Sequence, residues 1–505
     1  MIARTESGTL VGIDAQSVVI EVDLPSGEFQ FIMVGLPDQA VGEARERVRA
    51  AIRNCGLDFP KSKIVCNLAP GDVRKEGPWL DLPIAIAILA ANGTVSPEML
   101  GTTLIAGELS LDGTLRPING AVSLALLARS SGLQRLIVPA ENAAEAAVDP
   151  SLEVYGLSNL LEVVELLNGS AFHAPFRFEE SPSARLATYE VDYKEVKGQS
   201  HAIRALEIAA AGGHNVLMVG PPGSGKTMLA RRLPTILPPL SLPEAIEVTR
   251  IHSAGGRRNG QSGLMWERPF RAPHHSASHA AIVGGGSNPK PGEVSLGHLG
   301  VLFMDEMPEY DRSVLEALRQ PLEDAIVTVA RVQNSITFPA GTMLVGAMNP
   351  CPCGFKGLPE QNCVSTPTRC ASYGARISGP LLDRIDLHFE VPRLKPDELL
   401  NAPTGEPSAA ILERVMKARD RQTARFGKAE VNAKMAPKDL QTMIVLDDEC
   451  QAFLKVVVNR FNLSARVYDR ILKVARTIAD LAGSEEVRKA HLAEAVQYRE
   501  RTPNF

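Results

Sequence analysis

Val216-Leu217-Met218-Val219-Gly220-Pro221-Pro222-Gly223-Ser224-Gly225-Lys226-Thr227-Met228-Leu229-Ala230 decides the fold class. The apolar run 216–219 predicts a buried strand, the glycine-rich stretch a tight loop, and Met228-Leu229-Ala230-Arg231-Arg232 a helix. Glycines let consecutive backbone N–H groups turn inward around an anion, and the helix that follows adds its positive end. Lys226 is placed to reach the β/γ-phosphates of a bound nucleotide and Thr227 to ligate Mg²⁺. Gly220, Pro221, Pro222, Gly223, Ser224, Gly225, Lys226 and Thr227 are therefore the candidate nucleotide-binding set, and the domain around them is expected to be α/β.

Two further strands extend this reading. Val301-Leu302-Phe303-Met304 ends in Asp305-Glu306, and adjacent carboxylates at the end of a buried strand are costly without a cationic partner. Asp305 would support the Mg²⁺ shell and Glu306 would polarise the attacking water. Residues 343–347 form the next apolar run and lead to Asn349, an amide able to touch a γ-phosphate or hold the water. With a last run at 387–391, short apolar segments interleaved with helical ones imply a parallel sheet covered on both faces.

Working outward, 505 residues exceed one core, and four segments are expected. Residues 1–168 mix short strands with Ala-rich helices, 169–190 read as a linker, 191–395 hold the nucleotide core, and 396–505 are helical. The clearest helix spans 463–482, with Val467, Ile471, Val474, Ile478 and Leu481 at three- and four-residue steps before Gly483. A net charge of −5 argues against a globally basic nucleic-acid coat protein, although a locally basic channel is compatible with it. The apolar stretch 82–91 is half of the ~20 residues that cross a bilayer, and residues 1–6 do not resemble a leader, so no membrane partner and a cytoplasmic location are expected.

The order of strand-end motifs resembles that of AAA+ ATPases, with Asn349 at the sensor position. The resemblance extends to Ser378-Gly379-Pro380-Leu381-Leu382-Asp383-Arg384, whose arginine in helicase and chelatase branches reaches the neighbouring subunit's nucleotide. Arg384 is the candidate trans finger, the alternative being an ion pair with Asp383 or Asp386. Arg466 resembles the lid arginine that senses nucleotide in cis, and Arg470, one turn on, stays open for that role. Glu306, Asn349, Arg384 and Arg466 are thus the implied catalytic group, with ATP and Mg²⁺ as cofactors.

The insertion Arg268-Pro269-Phe270-Arg271-Ala272-Pro273-His274-His275-Ser276, followed by Gly284-Gly285-Gly286, completes a resemblance over essentially the whole chain to the magnesium chelatase-like ComM/YifB family. That resemblance implies a homo-hexameric DNA helicase driving branch migration during transformation, with single-stranded or branched DNA and recombination proteins as partners. A chelatase-type subunit driving metal insertion and a protein-remodelling ATPase are the alternatives. Residues 250–275 carry five arginines and one glutamate, and Arg268 and Arg271 are candidate DNA contacts. The hairpin-like stretch 326–337 offers Arg331, with Gln333, near its tip. The other reading of both stretches is a solvated surface loop.

The first segment resembles the proteolytic domain of Lon, an α+β domain of the ribosomal S5 domain 2 type. Lys75-Glu76-Gly77-Pro78-Trp79 parallels the segment carrying the nucleophilic serine, and residues 107–122 parallel the segment presenting the lysine. Trp79 and Val122 stand at those two positions, and neither side chain can act as nucleophile or base. The resemblance therefore implies the fold without the dyad.

Cys351, Cys353, Cys363 and Cys370 crowd into twenty positions directly after Asn349. Four soft ligands in a Gly/Pro-rich loop favour a structural, tetrahedral Zn²⁺ site, and the alternative is four free thiols. The seven cysteines in so long a chain do not make a disulfide framework.

Overall fold

The computed structural model describes residues 2–177, 189–257, 263–286, 289–330, 335–356, 362–394, 403–461 and 463–500. Arg331 and Gln333 lie outside the described residues. The chain divides into two compact units. The first comprises Met1–Ala184, Ser241–Met265 and Asn288–Pro291, and the second Arg185–Leu240, Trp266–Ser287 and Gly292–Phe505.

The first unit is built on a seven-stranded mixed sheet. From one edge its strands are Phe31–Val34, Ile64–Ala69, Asp14–Asp23, Ala3–Val11, Thr103–Ile105, Arg135–Pro139 and Glu153–Leu157. Ala3–Val11 and Asp14–Asp23 form a hairpin in register Ala3 opposite Val22, whereas the last four strands of the order run parallel. The apolar stretch read at 82–91 is the helix Asp81–Ala91, and every side chain from Asp81 to Ala90 is buried. A helix apolar all round has to sit inside the core, and this one does. Helix Leu242–Ala254 belongs to this unit although it follows the phosphate loop in sequence. It begins in a capping box of Ser241 and Glu244. Arg250 pairs with Asp14, and Ser253 Oγ accepts from the Gly120 N–H at 2.8 Å. The sequence-derived core 191–395 is continuous, whereas the compact unit is interrupted by this stretch.

The second unit carries a five-stranded, wholly parallel sheet in the order Phe270–Arg271, Val301–Met304, Met343–Met348, Val216–Val219, Leu387–Glu390. The strand residues of Val216–Val219, Val301–Met304 and Met343–Met348 are buried throughout, as strands covered on both faces must be. The helical part of this unit includes Ser408–Phe426, Asp448–Phe461, Ala465–Leu481 and Lys489–Glu500. Ala465–Leu481 starts where Ser464 accepts from the Val467 N–H and ends at Gly483, whose φ of 72° closes the turn. Its buried stripe includes Ile471, Val474 and Ile478.

Candidate nucleotide site

The strand Val216–Val219 sits between Met343–Met348 and Leu387–Glu390, so the loop leaving it opens beside the ends of both neighbours. Gly220 is pressed against the sheet: its N–H bonds Met348 O at 3.1 Å, and a Cβ there would lie 2.2 Å from Val391 O. Gly223 and Gly225 have φ of 74° and 92°, values open to glycine at no steric cost. Helix Lys226–Arg232 begins directly after Gly225.

Lys226 is almost wholly buried. Its ammonium donates to Gly220 O at 2.7 Å, to Pro221 O at 3.0 Å and to Asn349 Oδ1 at 3.3 Å. Burial pushes its pKa below the ordinary lysine value, and the charges of Asp305 and Glu306 oppose that shift. Thr227 Oγ1 donates to Asp305 Oδ2 at 2.8 Å. Ser224 Oγ is buried with no hydrogen-bond partner among the described residues. An orphaned hydroxyl and a buried cation held by neutral oxygens, on a loop whose Gly223 and Gly225 take left-handed φ, fit a polyphosphate anion. The paired oxygens of Thr227 and Asp305 fit a hard cation that keeps most of its waters. A bound nucleotide–Mg²⁺ would supply the reacting phosphoryl group, and these residues would hold it.

Glu306 lies at φ 49°, a left-handed conformation uncommon for a non-glycine residue, directly after the Val301–Met304 strand. The turn leaves its carboxylate half exposed, and His275 Nδ1 lies 3.6 Å from Glu306 Oε2. Sequence reading assigned His275 no role. Its place is set by the two-residue strand Phe270–Arg271, too short to carry a sequence period, which pairs with Val301–Met304 and brings its own trailing loop beside Asp305-Glu306. Tyr310 Oη donates to Pro273 O at 2.6 Å and holds that loop in place. Tyr373 was also missed; its phenol lies against the Asn349 backbone N–H, and burial pushes its pKa up to about 12.

The structure therefore brings together Gly220 to Thr227, Asp305, Glu306 and Asn349. Arg384 is elsewhere engaged: Nε donates to Glu323 Oε2 at 3.1 Å and Nη1 to Pro380 O at 2.9 Å. Its ion-pair partner is thus Glu323 rather than Asp383 or Asp386. Asp386 instead receives the partly exposed Arg470 and lies 3.4 Å from the buried His214. Arg470 is thereby occupied, whereas Arg466 is exposed on the first turn of its helix. The Arg384 hydrogen bond holds the Glu323 carboxyl below its ordinary value; slight burial opposes this, and the charges of Arg384, Arg466 and Arg470 reinforce it.

The two arginines read as DNA contacts are committed inside the fold. Arg271 makes a two-pronged pair with Glu293 at 2.6 and 2.8 Å, and Arg268 donates to Leu299 O at 2.6 Å and to Pro238 O. The expected hairpin forms, with Ile326–Val329 antiparallel to Ile336–Pro339. In the first unit Trp79 and Val122 are core side chains: the indole Nε1 donates to Gly8 O at 2.9 Å, and Val122 is fully buried. The sulfurs of Cys351, Cys363 and Cys370 lie within 4.8 Å of one another, a cluster compatible with zinc.

Known proteins place this geometry. Residues 192–399 match the family described as magnesium chelatase, subunit ChlI, residues 20–142 match subunit ChlI of Mg-chelatase, and residues 405–499 match the ChlI C-terminal family. The chain is 44% identical to Competence protein ComM of Haemophilus influenzae over 99% of its own length and 97% of that protein's. It is 43% identical to the protein YifB of Salmonella typhimurium over 99% and 97% of the two chains. Lon protease of Bacillus thuringiensis is 30% identical over 30% of this chain and 20% of its own. The fold is accordingly an AAA+ nucleotide core with a helical carboxy-terminal part and a Lon-like amino-terminal region. With that core, those matches and that site, the chain belongs to the magnesium chelatase-like ComM/YifB family of AAA+ ATPases.

Proposed function

We propose that the chain is one subunit of a ring-forming, homo-hexameric ATPase that moves along DNA and drives branch migration of recombination intermediates in the cytoplasm during natural transformation. The similarity to Competence protein ComM across nearly the full length of both chains carries this reading. In the proposed cycle Thr227 and Asp305 hold Mg²⁺, Lys226 exchanges its loop carbonyls for the β/γ-phosphates, and Glu306 orients water. Arg384, engaged in its own chain by a surface glutamate, completes a neighbour's site. The strand Met343–Met348 joins the hairpin Ile326–Pro339 to Asn349, so the hairpin is continuous in sequence with a residue that senses the γ-phosphate.

Strand displacement on forked DNA tests the proposal, with Glu306→Gln as the inactive control. Displacement that needs ATP and falls steeply as salt rises supports it. A magnesium chelatase-type role, favoured by the descriptions of all three matching families, takes over if the wild type hydrolyses ATP but neither binds nor displaces DNA.

A further inference from the structure

The four cysteines next to the sensor strand are unused by the nucleotide chemistry, and their arrangement is not that of scattered thiols. Cys351 Sγ lies 3.2 Å from Cys353 Sγ and 3.7 Å from Cys363 Sγ. Cys363 Sγ lies 3.5 Å from Cys353 Sγ and 3.7 Å from Cys370 Sγ. A disulfide brings two sulfurs to about 2.05 Å, far shorter than any of these. Four thiolates at about 2.3 Å from one zinc ion stand about 3.8 Å apart at the corners of a tetrahedron. These four separations of 3.2 to 3.7 Å lie near that edge length, and Cys351, Cys363 and Cys370 all lie within 4.8 Å of one another, with Cys353 outside that mutual set but beside Cys351 and Cys363.

The backbone is shaped for the same purpose. Gly354 N–H bonds Cys351 O at 2.9 Å, and Gly354 adopts φ 82°, so Cys351-Pro352-Cys353-Gly354 is a tight turn that presents two sulfurs on one side. The Lys356 N–H points at Cys351 Sγ at 3.3 Å, as donors do towards negatively charged sulfur. Cys370 comes from the helix Pro367–Gly374, capped by Thr366, and it and Cys351 are buried. Two cysteines on a turn, one on a loop and one on a helix can be held at these distances by an ion.

The cluster touches the nucleotide site at two points. A Cβ on Gly354 would lie 2.5 Å from Cδ of Pro222, so the cysteine turn packs against the phosphate loop itself. Tyr373, three residues after Cys370 on the same helix, lies with its phenol against the Asn349 backbone. We propose that Cys351, Cys353, Cys363 and Cys370 bind one structural Zn²⁺ that locks this turn and helix together, and so fixes Pro222 and Asn349 around the γ-phosphate. All four positions on the metal are taken by sulfur, so it takes no part in the chemistry.

The test is metal content and nucleotide affinity of the full chain, purified with zinc supplied and without chelator. One zinc per chain is expected, retained by Cys55→Ser and lost from Cys370→Ser and Cys353→Ser. Replacement by Co²⁺ should give the intense charge-transfer absorption of four thiolates, which also reads the site in the wild type if either variant fails to fold. Removing the zinc should weaken binding of a fluorescent ATP analogue by roughly 10- to 100-fold, the range seen when support around a metal-linked site is lost. A wild type that holds no zinc and gives no tetrathiolate cobalt spectrum overturns the site. Zinc kept by both variants overturns the ligand assignment, and unchanged nucleotide affinity after stripping overturns the link to the phosphate loop. None of these readouts depends on DNA, so failure here is separable from failure of the proposed DNA motor.

Discussion

Arg384 and Glu323 form an ion pair across 61 residues of sequence, with Arg384 Nε donating to Glu323 Oε2 at 3.1 Å. The arginine belongs to the loop that leads into the edge strand Leu387–Glu390. The glutamate lies in the last turn of the helix Arg319–Asp324, just before the hairpin. Glu323 also sits in the field of Arg466 and Arg470, so one surface carboxylate satisfies the cation that the proposed ring needs at a neighbour's γ-phosphate.

Removing that competition should favour the active arrangement. The glutamate of the pair is exposed while the arginine is largely covered. A pair open to solvent on one side contributes about 1 kcal/mol, so Glu323→Gln should raise ATP turnover by about fivefold at fixed subunit concentration. Steady-state ATPase assays measure this, and a rate below wild type contradicts the competition.

Arg384→Ala should lower turnover by about 10³-fold while ATP binding changes little, and Arg384→Lys should not restore the rate. Mixing is the sharper check. Subunits carrying Arg384→Ala retain Glu306, and subunits carrying Glu306→Gln retain Arg384, so mixed rings regain part of the activity that each lacks alone. Absence of recovery in a mixture that still assembles counts against action in trans.

Glu306→Gln should leave nucleotide affinity intact and cut hydrolysis by roughly 10²- to 10⁴-fold, the range for a positioned base. Thr227→Ala, which removes the hydroxyl paired with Asp305, should instead weaken Mg²⁺-dependent binding. Equilibrium binding with and without Mg²⁺ separates the two effects.

His388 lies buried in the strand Leu387–Glu390, and burial, aided by the charge of Arg499, pushes its pKa down to about 3. Asp386 and the carbonyls of Ile385 and Leu382 favour the protonated ring but are outweighed. An unfolded histidine titrates near 6.5, so between the two values the unfolded chain binds the extra proton. Stability from this group is therefore present above about pH 6.5 and falls with pH by up to ~1.4 kcal/mol per unit. His388→Leu should lose about 2 kcal/mol less than wild type between pH 7 and pH 5. Denaturant titrations at the two pH values read the difference directly.

Rebuilding the Lon-type pair with Trp79→Ser and Val122→Lys should give no peptidase. The indole fills the core of the first unit and bonds Gly8 O, so its truncation should cost about 3–5 kcal/mol. A lysine at Val122 would add a buried charge. Loss of the first unit's thermal transition, with no cleavage of casein, is the expected result.

The strands of the nucleotide core were legible because each is a short apolar run ending in a residue with chemistry to do. Val216–Val219 and Val301–Met304 fall where the pattern places them, and Ala465–Leu481 follows its apolar stripe. Phe270–Arg271 was not legible, since two residues carry no period, and His275 was lost with it. Arg268 and Arg271 looked like free basic charge because the partners Leu299, Pro238 and Glu293 lie 22 to 31 residues away. Local composition records charge but not pairing. The same limit hid Glu323 behind the nearer Asp383 and Asp386. It also left helix Leu242–Ala254 assigned to the nucleotide core, when its buried face belongs to the first unit.

The most direct test of a DNA-driven ring is the ATPase rate measured across subunit concentration, with and without single-stranded and forked DNA. The account predicts a rate per subunit that rises with concentration, because Arg384 acts on a neighbour, and that DNA raises it further in a salt-sensitive way. A rate independent of both subunit concentration and DNA would contradict it.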